Sequence, residues 1–235
     1  MARKTPSATP HTSGRRALRT RVKTAKGRSV SSTRWLERQL NDPYVAQAKQ
    51  EGYRSRAAYK LIEIDDNFGL LSKGKTVIDL GAAPGGWTQI AARRVLAGTK
   101  GGGTVIGIDL QPIEPIPHTL CLQGDFLETD GLSALQSALA GKRPDIVLSD
   151  MAASACGHPP TDHIRIMALC EAAFDFALLH LAPGGAFVAK VLRGGAEQTL
   201  LHHIKQHFRL VKHFKPPASR ADSAEIYIVA KGFKG

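Results

Sequence analysis

The chain has 235 residues, of which 43% are hydrophobic and 22% charged, and this composition is typical of one globular domain. It contains no run of about 20 apolar residues, which argues against a membrane-spanning helix. Its three cysteines form neither a CxxC pair nor a zinc-ligand pattern, so we expect reduced thiols, no structural metal and a cytoplasmic protein.

The net charge of +12 is concentrated at the N-terminal end. Residues 1–36 contain ten of the 32 lysines and arginines and no acidic residue, so 22 basic residues remain to face all 20 acids. A segment of one charge sign and low hydrophobicity does not fold alone and attracts phosphate groups. Three interpretations stay open: a disordered tail that contacts nucleic acid, a solvated tail without a specific role, and a mitochondrial transit peptide. We therefore divide the chain into a basic arm (1–36) and one domain (37–235).

Beyond the arm, helix-like and strand-like patterns alternate. Asp42-Pro43 and Gly52 interrupt the first stretch, and Ser55 is the predicted N-cap of the helix that follows. The later predicted helices lie at 87–96, 133–140, 164–181 and 197–208. The predicted strands lie at 77–80, 104–110, 118–122, 145–149, 185–192, 210–214 and 225–230. Strands rich in Val and Ile that alternate with helices predict an α/β fold, with a mostly parallel seven-stranded sheet and helices on both faces.

Charged residues gather at the ends of the predicted strands. Four of them fall at or near such ends, namely Asp79, Asp109, Asp150 and Lys190. In open α/β sheets, ligands bind beyond the carboxyl ends of the strands. Four charges at one rim are difficult to explain as solvated surface, so we predict a ligand site there.

The segment VIDLGAAPGGW, residues 77–87, predicts a strand, a glycine-rich turn and the start of a helix, which is typical of nucleotide-binding proteins. A P-loop is excluded because Trp87 follows Gly86, where a P-loop requires lysine. The dinucleotide pattern GxGxxG is broken at its second glycine, which disfavours a pyrophosphate site. The turn favours a nucleoside attached to an amino acid, with Asp109 accepting hydrogen bonds from both ribose hydroxyls. Tight packing of strand against helix is the structural alternative.

Histidines do not predict a metal site. His203 and His207 have the i, i+4 spacing of a metal pair on one predicted helix. No carboxylate or third ligand accompanies them, so we interpret them as part of a solvated helical face.

Six motifs follow one another along the domain: DLGAAPGGW (79–87), GIDL (107–110), QGDF (123–126), LSDMA (148–152), FVAKVL (187–192) and SRADSAEIYIVAKG (219–232). In this order they resemble the FtsJ-like family of ribosomal RNA large-subunit ribose 2'-O-methyltransferases, roughly from residue 34 to the C-terminus. The resemblance implies a Rossmann-like methyltransferase fold with S-adenosyl-L-methionine as cofactor. It places a catalytic set on Lys60, Asp150, Lys190 and Glu225. It places cofactor contacts on Gly85, Trp87, Asp109, Asp125 and Asp150.

The resemblance also implies a substrate. It points to a uridine in the A-loop of large-subunit rRNA, methylated late in ribosome assembly. We expect a monomer that acts on the assembled large subunit and has low activity on short RNA.

The implied reaction needs a group that takes the proton of the ribose hydroxyl. A lysine does this only when its pKa falls well below the free value of about 10.4. We assign this role to Lys190, which lies in an otherwise apolar strand where an unpaired ammonium is costly. Asp150 is expected to orient Lys190, Lys60 to assist it or steer the substrate oxygen, and Glu225 to hold Lys60. By pattern alone, Lys60 would be a surface lysine and Glu225 would be unremarkable.

One motif departs from the family pattern. After Asp150 the usual Met-Ala-Pro-Asn is replaced by Met151-Ala152-Ala153-Ser154, which bears on substrate choice more than on the reaction. Three alternatives stay open: a non-catalytic assembly factor, a mitochondrial rRNA methyltransferase and a nicotinamide-dependent oxidoreductase. The broken GxGxxG pattern disfavours the last of these.

Overall fold

The structure, a computed structural model, describes residues 20–22, 27, 29–153, 156–193 and 197–235. It divides into two compact units, residues 1–46 and 47–235. Within the described ranges, no helix combines the length and the apolar character that crossing a membrane requires.

In the first unit, helix α1 (Val30–Leu40) follows Ser29, whose hydroxyl accepts the backbone N–H of Ser32. This is a standard N-cap, which satisfies one of the N–H groups left unpaired at a helix start. Residues 30–36 of the predicted basic arm are therefore helical. Most of the rest of the arm lies outside the described residues.

Helices and strands alternate along the rest of the chain. The helices are α2 (Pro43–Gln50), α3 (Ala57–Phe68), α4 (Gly86–Arg94), α5 (Thr129–Leu139), α6 (Pro159–His180) and α7 (Glu197–His207). The strands are β1 (Thr76–Leu80), β2 (Thr104–Asp109), β3 (Leu120–Gln123), β4 (Ile146–Ser149), β5 (Ala186–Leu192), β6 (Phe208–Phe214) and β7 (Glu225–Phe233).

The strands form one seven-stranded sheet in the order β3-β2-β1-β4-β5-β7-β6. Strands β1 to β5 pair in parallel, whereas β7 runs antiparallel to both of its neighbours. Buried apolar clusters lie against both faces of the sheet, which explains why its central strands are largely apolar. The predicted α/β fold with a mostly parallel seven-stranded sheet is confirmed.

Helices α5 and α6 begin four and five residues before their predicted starts, at Thr129 and Pro159. Helix α6 begins at Pro159, before its first large apolar residue, because proline is well tolerated in the first turn of a helix. The predicted N-cap at Ser55 is wrong. Helix α3 begins after Arg56, and the Ser55 hydroxyl is buried without a hydrogen-bond partner among the described residues.

The alternation of side chains along β5 decides which face Lys190 meets. Phe187 and Val191 belong to the apolar cluster that contains residues of α6 and α7. Val188 belongs to the other cluster, with residues of α3 and α4. Since side chains two positions apart lie on the same face of a strand, Lys190 points to the side of α3 and α4.

Candidate active site

The glycine-rich turn between β1 and α4 has the tight geometry that its sequence predicts. Gly81 and Gly85 have φ angles of +74° and +107°, in the region that favours glycine. A Cβ atom on Gly81 would lie 2.4 Å from the Cγ atom of Met151, and one on Gly86 would lie 2.4 Å from the Ser55 hydroxyl oxygen. The turn therefore brings its backbone against both neighbouring segments, and larger residues would disrupt it.

Two adjoining pockets open at this turn, beyond the carboxyl ends of the parallel strands. The larger has a volume of about 460 Å³, and Asp109 and Asp125 are among its lining residues. The smaller has a volume of about 150 Å³, and its lining residues include Trp87. Asp150 lines both pockets. Gly85, the fifth predicted cofactor residue, is not itself a lining residue of either, but its neighbour in the turn, Pro84, lines both.

The acceptors in the larger pocket are fixed by the backbone. The two carboxylate oxygens of Asp109 accept the N–H groups of Ala83 and Gln111, at 2.9 and 2.8 Å. Asp125 accepts the N–H of Leu127 at 2.9 Å. A carboxylate has about four acceptor sites, so both groups retain sites for ligand hydroxyl or amino groups. The pocket therefore presents preoriented acceptors.

The smaller pocket is lined by two residues with a polar atom that has no hydrogen-bond partner within the part of the chain that the structure describes. Asp79 is fully buried, and one of its oxygens accepts the Thr88 hydroxyl at 2.6 Å. Its other oxygen and the Ser55 hydroxyl have no hydrogen-bond partner among the described residues, and both side chains line the pocket. Burial raises the pKa of Asp79 to about 7, the Thr88 hydrogen bond opposes this effect, and the charges of Asp150 and Asp109 add to it. Unpaired buried acceptors are costly, so this pocket is suited to a cationic donor.

Lys190 and Asp150 form the inner half of a buried charge cluster. The Lys190 ammonium donates to the Asp150 carboxylate at 3.0 Å and to the Asp150 backbone carbonyl at 2.7 Å. The Lys190 side chain is only 8% exposed. A buried ammonium with two fixed acceptors has one defined position, and it lies where β4 and β5 end beside the pockets.

Lys60 and Glu225 form the outer half of the cluster. The Lys60 ammonium lies 2.7 Å from the Glu225 carboxylate and 3.8 Å from the Asp150 carboxylate. The Lys60 side chain is 11% exposed, so the surface position expected from its helical pattern alone is wrong. Lys60 is buried because it lies on the flank of α3 that faces the end of β7. The structure thus brings all four predicted catalytic residues together.

Two further residues complete the cluster, and the sequence analysis did not single them out. The Tyr227 hydroxyl contacts Lys60, Asp150 and Glu225, while the Ser219 hydroxyl donates to Glu225 at 3.0 Å. The available signal was the alternation along β7, which places Tyr227 on the same face as Glu225, two residues earlier.

The cluster sets the ionisation of its central carboxyl group. Burial alone would raise the pKa of Asp150, but the Lys190 and Lys60 ammonium groups and the hydrogen bond from Tyr227 outweigh it, so this pKa lies below its usual value of 3.8. Burial, followed by the Asp150 and Glu225 charges, raises the pKa of Tyr227 well above 10. Asp150 is therefore ionised and Tyr227 protonated at neutral pH.

Met151 and Ala152, which follow Asp150 directly, line the larger pocket together with it. Met151 packs against the glycine turn at Gly81, whereas Ser154 lies outside the described residues. His203 and His207 pack edge-on against each other, with ring centroids 5.2 Å apart. Among the described residues, no group of three or more His, Cys, Asp or Glu side chains could hold a metal ion.

Comparisons with known proteins identify the family. A model of the FtsJ-like methyltransferase family matches residues 53–233. The chain is 58% identical over 222 residues to "Ribosomal RNA large subunit methyltransferase E" of Sphingopyxis alaskensis, with 94% of each chain covered. It is 59% identical over 230 residues to the protein of the same name from Parvibaculum lavamentivorans, covering 95% of this chain and 90% of that one. A crystal structure from Plasmodium falciparum, described as a ribosomal RNA methyltransferase, matches with a TM-score of 0.70 and 34% identity, covering 78% of this chain and 100% of that one. This chain therefore belongs to the FtsJ-like methyltransferase family, as its motifs predicted.

Proposed function

We propose that this protein transfers a methyl group from S-adenosyl-L-methionine to a ribose 2'-hydroxyl of large-subunit rRNA. The observation that carries the proposal is the buried Lys–Asp–Lys–Glu cluster, whose central Asp150 also lines both pockets. The names of the relatives support rRNA as the substrate. We further propose that the target nucleotide is a uridine in the A-loop and that it is methylated late in ribosome assembly. The enzyme would act as a monomer in the cytoplasm.

The residues around the pockets fit this cofactor. The cofactor is a nucleoside joined to an amino acid, and the two pockets offer two chemically different environments. We assign Asp109 and Asp125 to the nucleoside, because both present preoriented acceptors. Asp79 and Ser55, whose buried oxygens lack partners among the described residues, would hold the amino-acid end with its ammonium group. Trp87 also lines the smaller pocket.

When bound, S-adenosyl-L-methionine supplies a methyl group already activated by a positively charged sulfur. The protein must then position the substrate hydroxyl and take its proton. Lys190 is the proposed proton acceptor, held in place by the side chain and the carbonyl of Asp150. Lys60, held by Glu225, would steer the substrate oxygen.

The direct test uses purified protein, methyl-labelled S-adenosyl-L-methionine and large ribosomal subunits from cells that lack this protein. We expect label in the large-subunit rRNA, on a ribose, and much less label on a short RNA of the same sequence. Binding of the cofactor without any transfer would favour the non-catalytic assembly factor. Calorimetry that detects binding of NAD but not of S-adenosyl-L-methionine would favour the oxidoreductase.

Asp109 should contribute strongly to cofactor affinity. We expect Asp109→Ala to weaken the binding of S-adenosyl-L-methionine by about 1.5–3 kcal/mol, the scale of a hydrogen bond to a charged group. Isothermal titration calorimetry measures this change directly. Asp66→Ala is the matched control, because Asp66 is exposed and pairs with Arg94 away from the pockets. If Asp109→Ala binds as tightly as the parent protein, Asp109 does not contact the cofactor.

The basic arm should add affinity for RNA without taking part in the chemistry. Deleting residues 1–28 removes nine of its ten basic residues but leaves Ser29, the N-cap of α1, in place. Each engaged phosphate contributes a slope of about −0.7 to −0.9 in log K against log salt, so we expect the RNA-binding slope to flatten by about 2–4. The transfer rate at saturating substrate should hardly change. The control variant replaces residues 1–28 with a Gly/Ser segment of equal length. If deletion leaves the salt dependence of RNA binding unchanged, the transit-peptide or solvated-tail interpretation is favoured.

A further inference from the structure

Tyr227 lies at the centre of the charge cluster. Its hydroxyl oxygen lies 3.0 Å from Lys60 Nζ, 2.7 Å from Asp150 Oδ1 and 3.1 Å from Glu225 Oε1. Its side chain is fully buried, and its ring packs on that of Trp87 with centroids 5.6 Å apart. One neutral hydroxyl thus contacts three of the four proposed active-site residues.

The proton of this hydroxyl has one favoured acceptor. A tyrosine hydroxyl donates one hydrogen bond and accepts others, and the Lys60 ammonium can only donate to it. Glu225 Oε1 already accepts from Lys60 at 2.7 Å and from Ser219 at 3.0 Å. The contact with Asp150 is the shorter of the two alternatives. The hydroxyl therefore donates to Asp150 Oδ1, the same oxygen that accepts from Lys190.

We propose that Tyr227 is a positioning residue for the transfer reaction. Its hydroxyl shares Asp150 Oδ1 with Lys190, and so it limits how strongly Asp150 holds the Lys190 ammonium. Because the oxygen is shared, Asp150 holds the proton of Lys190 less strongly than it would without the hydroxyl. The inference rests on the proposed function, in which Lys190 takes the proton of the ribose hydroxyl.

The charges around the Tyr227 hydroxyl decide whether its loss strengthens or weakens the hold of Asp150 on the Lys190 ammonium. Lys60 faces it from α3, Asp150 from the end of β4 and Glu225 from β7, with Lys190 on β5 and Asp79 on β1 beyond Asp150. Without the hydroxyl, Lys60 keeps its 2.7 Å contact with Glu225, whereas Asp150 loses its shortest side-chain donor. Asp150 would then hold the Lys190 ammonium more strongly, and a higher pH would be needed to release its proton.

The test is the pH dependence of single-turnover methyl transfer by Tyr227→Phe, at saturating cofactor and large subunits. We expect a rate about tenfold lower near neutral pH, with the rising limb of the profile shifted upwards by about one pH unit. Cofactor affinity by calorimetry should stay within about twofold, since no charged group is removed. Tyr53→Phe is the matched control, because Tyr53 packs edge-on against Tyr59, away from the cluster, and should keep the parent profile.

A second variant keeps the hydroxyl and should shift the rising limb of the pH–rate profile in the opposite direction. In Tyr227→3-fluorotyrosine, the ring fluorine makes the hydroxyl a stronger donor, so the limb should shift to lower pH. A lower rate in Tyr227→Phe without a shift of the limb, or shifts of the same sign in both variants, would overturn the inference. If Tyr227→Phe does not fold, the direction of the pH shift in the 3-fluorotyrosine variant alone decides whether the inference stands. A parent protein that transfers no methyl group would instead overturn the proposed function.

Discussion

Replacing Lys190 with alanine should lower the single-turnover rate of methyl transfer by about 10²–10⁴-fold, the range that a positioned general base contributes. The Lys190 ammonium is buried and is held by two acceptors of the same residue, Asp150, which fixes it beside the pockets that Asp150 lines. Cofactor affinity should change only a few-fold, because the pocket acceptors Asp79, Asp109 and Asp125 are untouched. Rapid-quench transfer assays and calorimetry on the same preparation measure the two quantities.

The matched control is Lys75→Ala. Lys75 also pairs with an aspartate, Asp145, at 2.8 Å, but this pair lies at the opposite end of strands β1 and β4. Losing it should leave both the rate and the affinity unchanged. If Lys190→Ala lowered cofactor affinity as much as the rate, Lys190 would have a structural role and the proton acceptor would have to be sought elsewhere.

The second large effect concerns Asp79 and the stability of the protein without cofactor. Burial, the largest influence, raises the pKa of Asp79 from its ordinary value of 3.8 to about 7 in the folded protein. Between these values the folded state binds a proton that the unfolded state has lost, so stability falls as the pH rises from about 4 to about 7. Between pH 5 and pH 8, the ionisation of Asp79 should lower the free energy of unfolding of the parent protein by about 3 kcal/mol. Asp79→Asn, neutral at every pH, should escape this loss.

Urea unfolding at pH 5 and pH 8 tests this prediction. The difference in unfolding free energy between the two pH values should be about 3 kcal/mol smaller in Asp79→Asn than in the parent protein. The raised pKa of Glu63, caused mainly by burial, is present in both proteins and cancels in the comparison. Asp145→Asn serves as the control and should keep the parent difference. Equal pH dependence in Asp79→Asn and the parent would mean that Asp79 is ionised in the folded state, despite its burial.

The fold could be predicted because its determinants are local. Runs of Val and Ile, such as residues 77–80 and 145–149, can be buried on both sides only within a covered sheet. The glycine turn could likewise be predicted from the sequence, since Gly81 and Gly85 adopt backbone angles that other residues avoid. The boundaries of helices and strands were harder to predict. Ser55 has the residue type of an N-cap, but it is buried where α3 meets the turn at Gly86.

The site was only partly predictable from physical patterns. Lys190 and Asp150 could be found because charges within or at the end of apolar strands need partners. Lys60 and Glu225 were placed by the family resemblance, since neither the stripe of α3 nor the start of β7 marks them as buried. Tyr227 escaped both approaches, because an apolar-looking strand residue reveals its hydrogen bonds only when Lys60, Asp150 and Glu225 meet around it.

If this protein methylates a ribose 2'-hydroxyl of large-subunit rRNA through the Lys190 cluster, cells that lack it should lack that methyl group. The 2'-O-methyl groups are mapped, nucleotide by nucleotide, on large-subunit rRNA from such cells. The same cells are then complemented with the parent chain or with Lys190→Ala. We predict that one methylated uridine in the A-loop disappears, returns with the parent chain and stays absent with Lys190→Ala. An unchanged map in cells without the protein, or full restoration by Lys190→Ala, would contradict the claim.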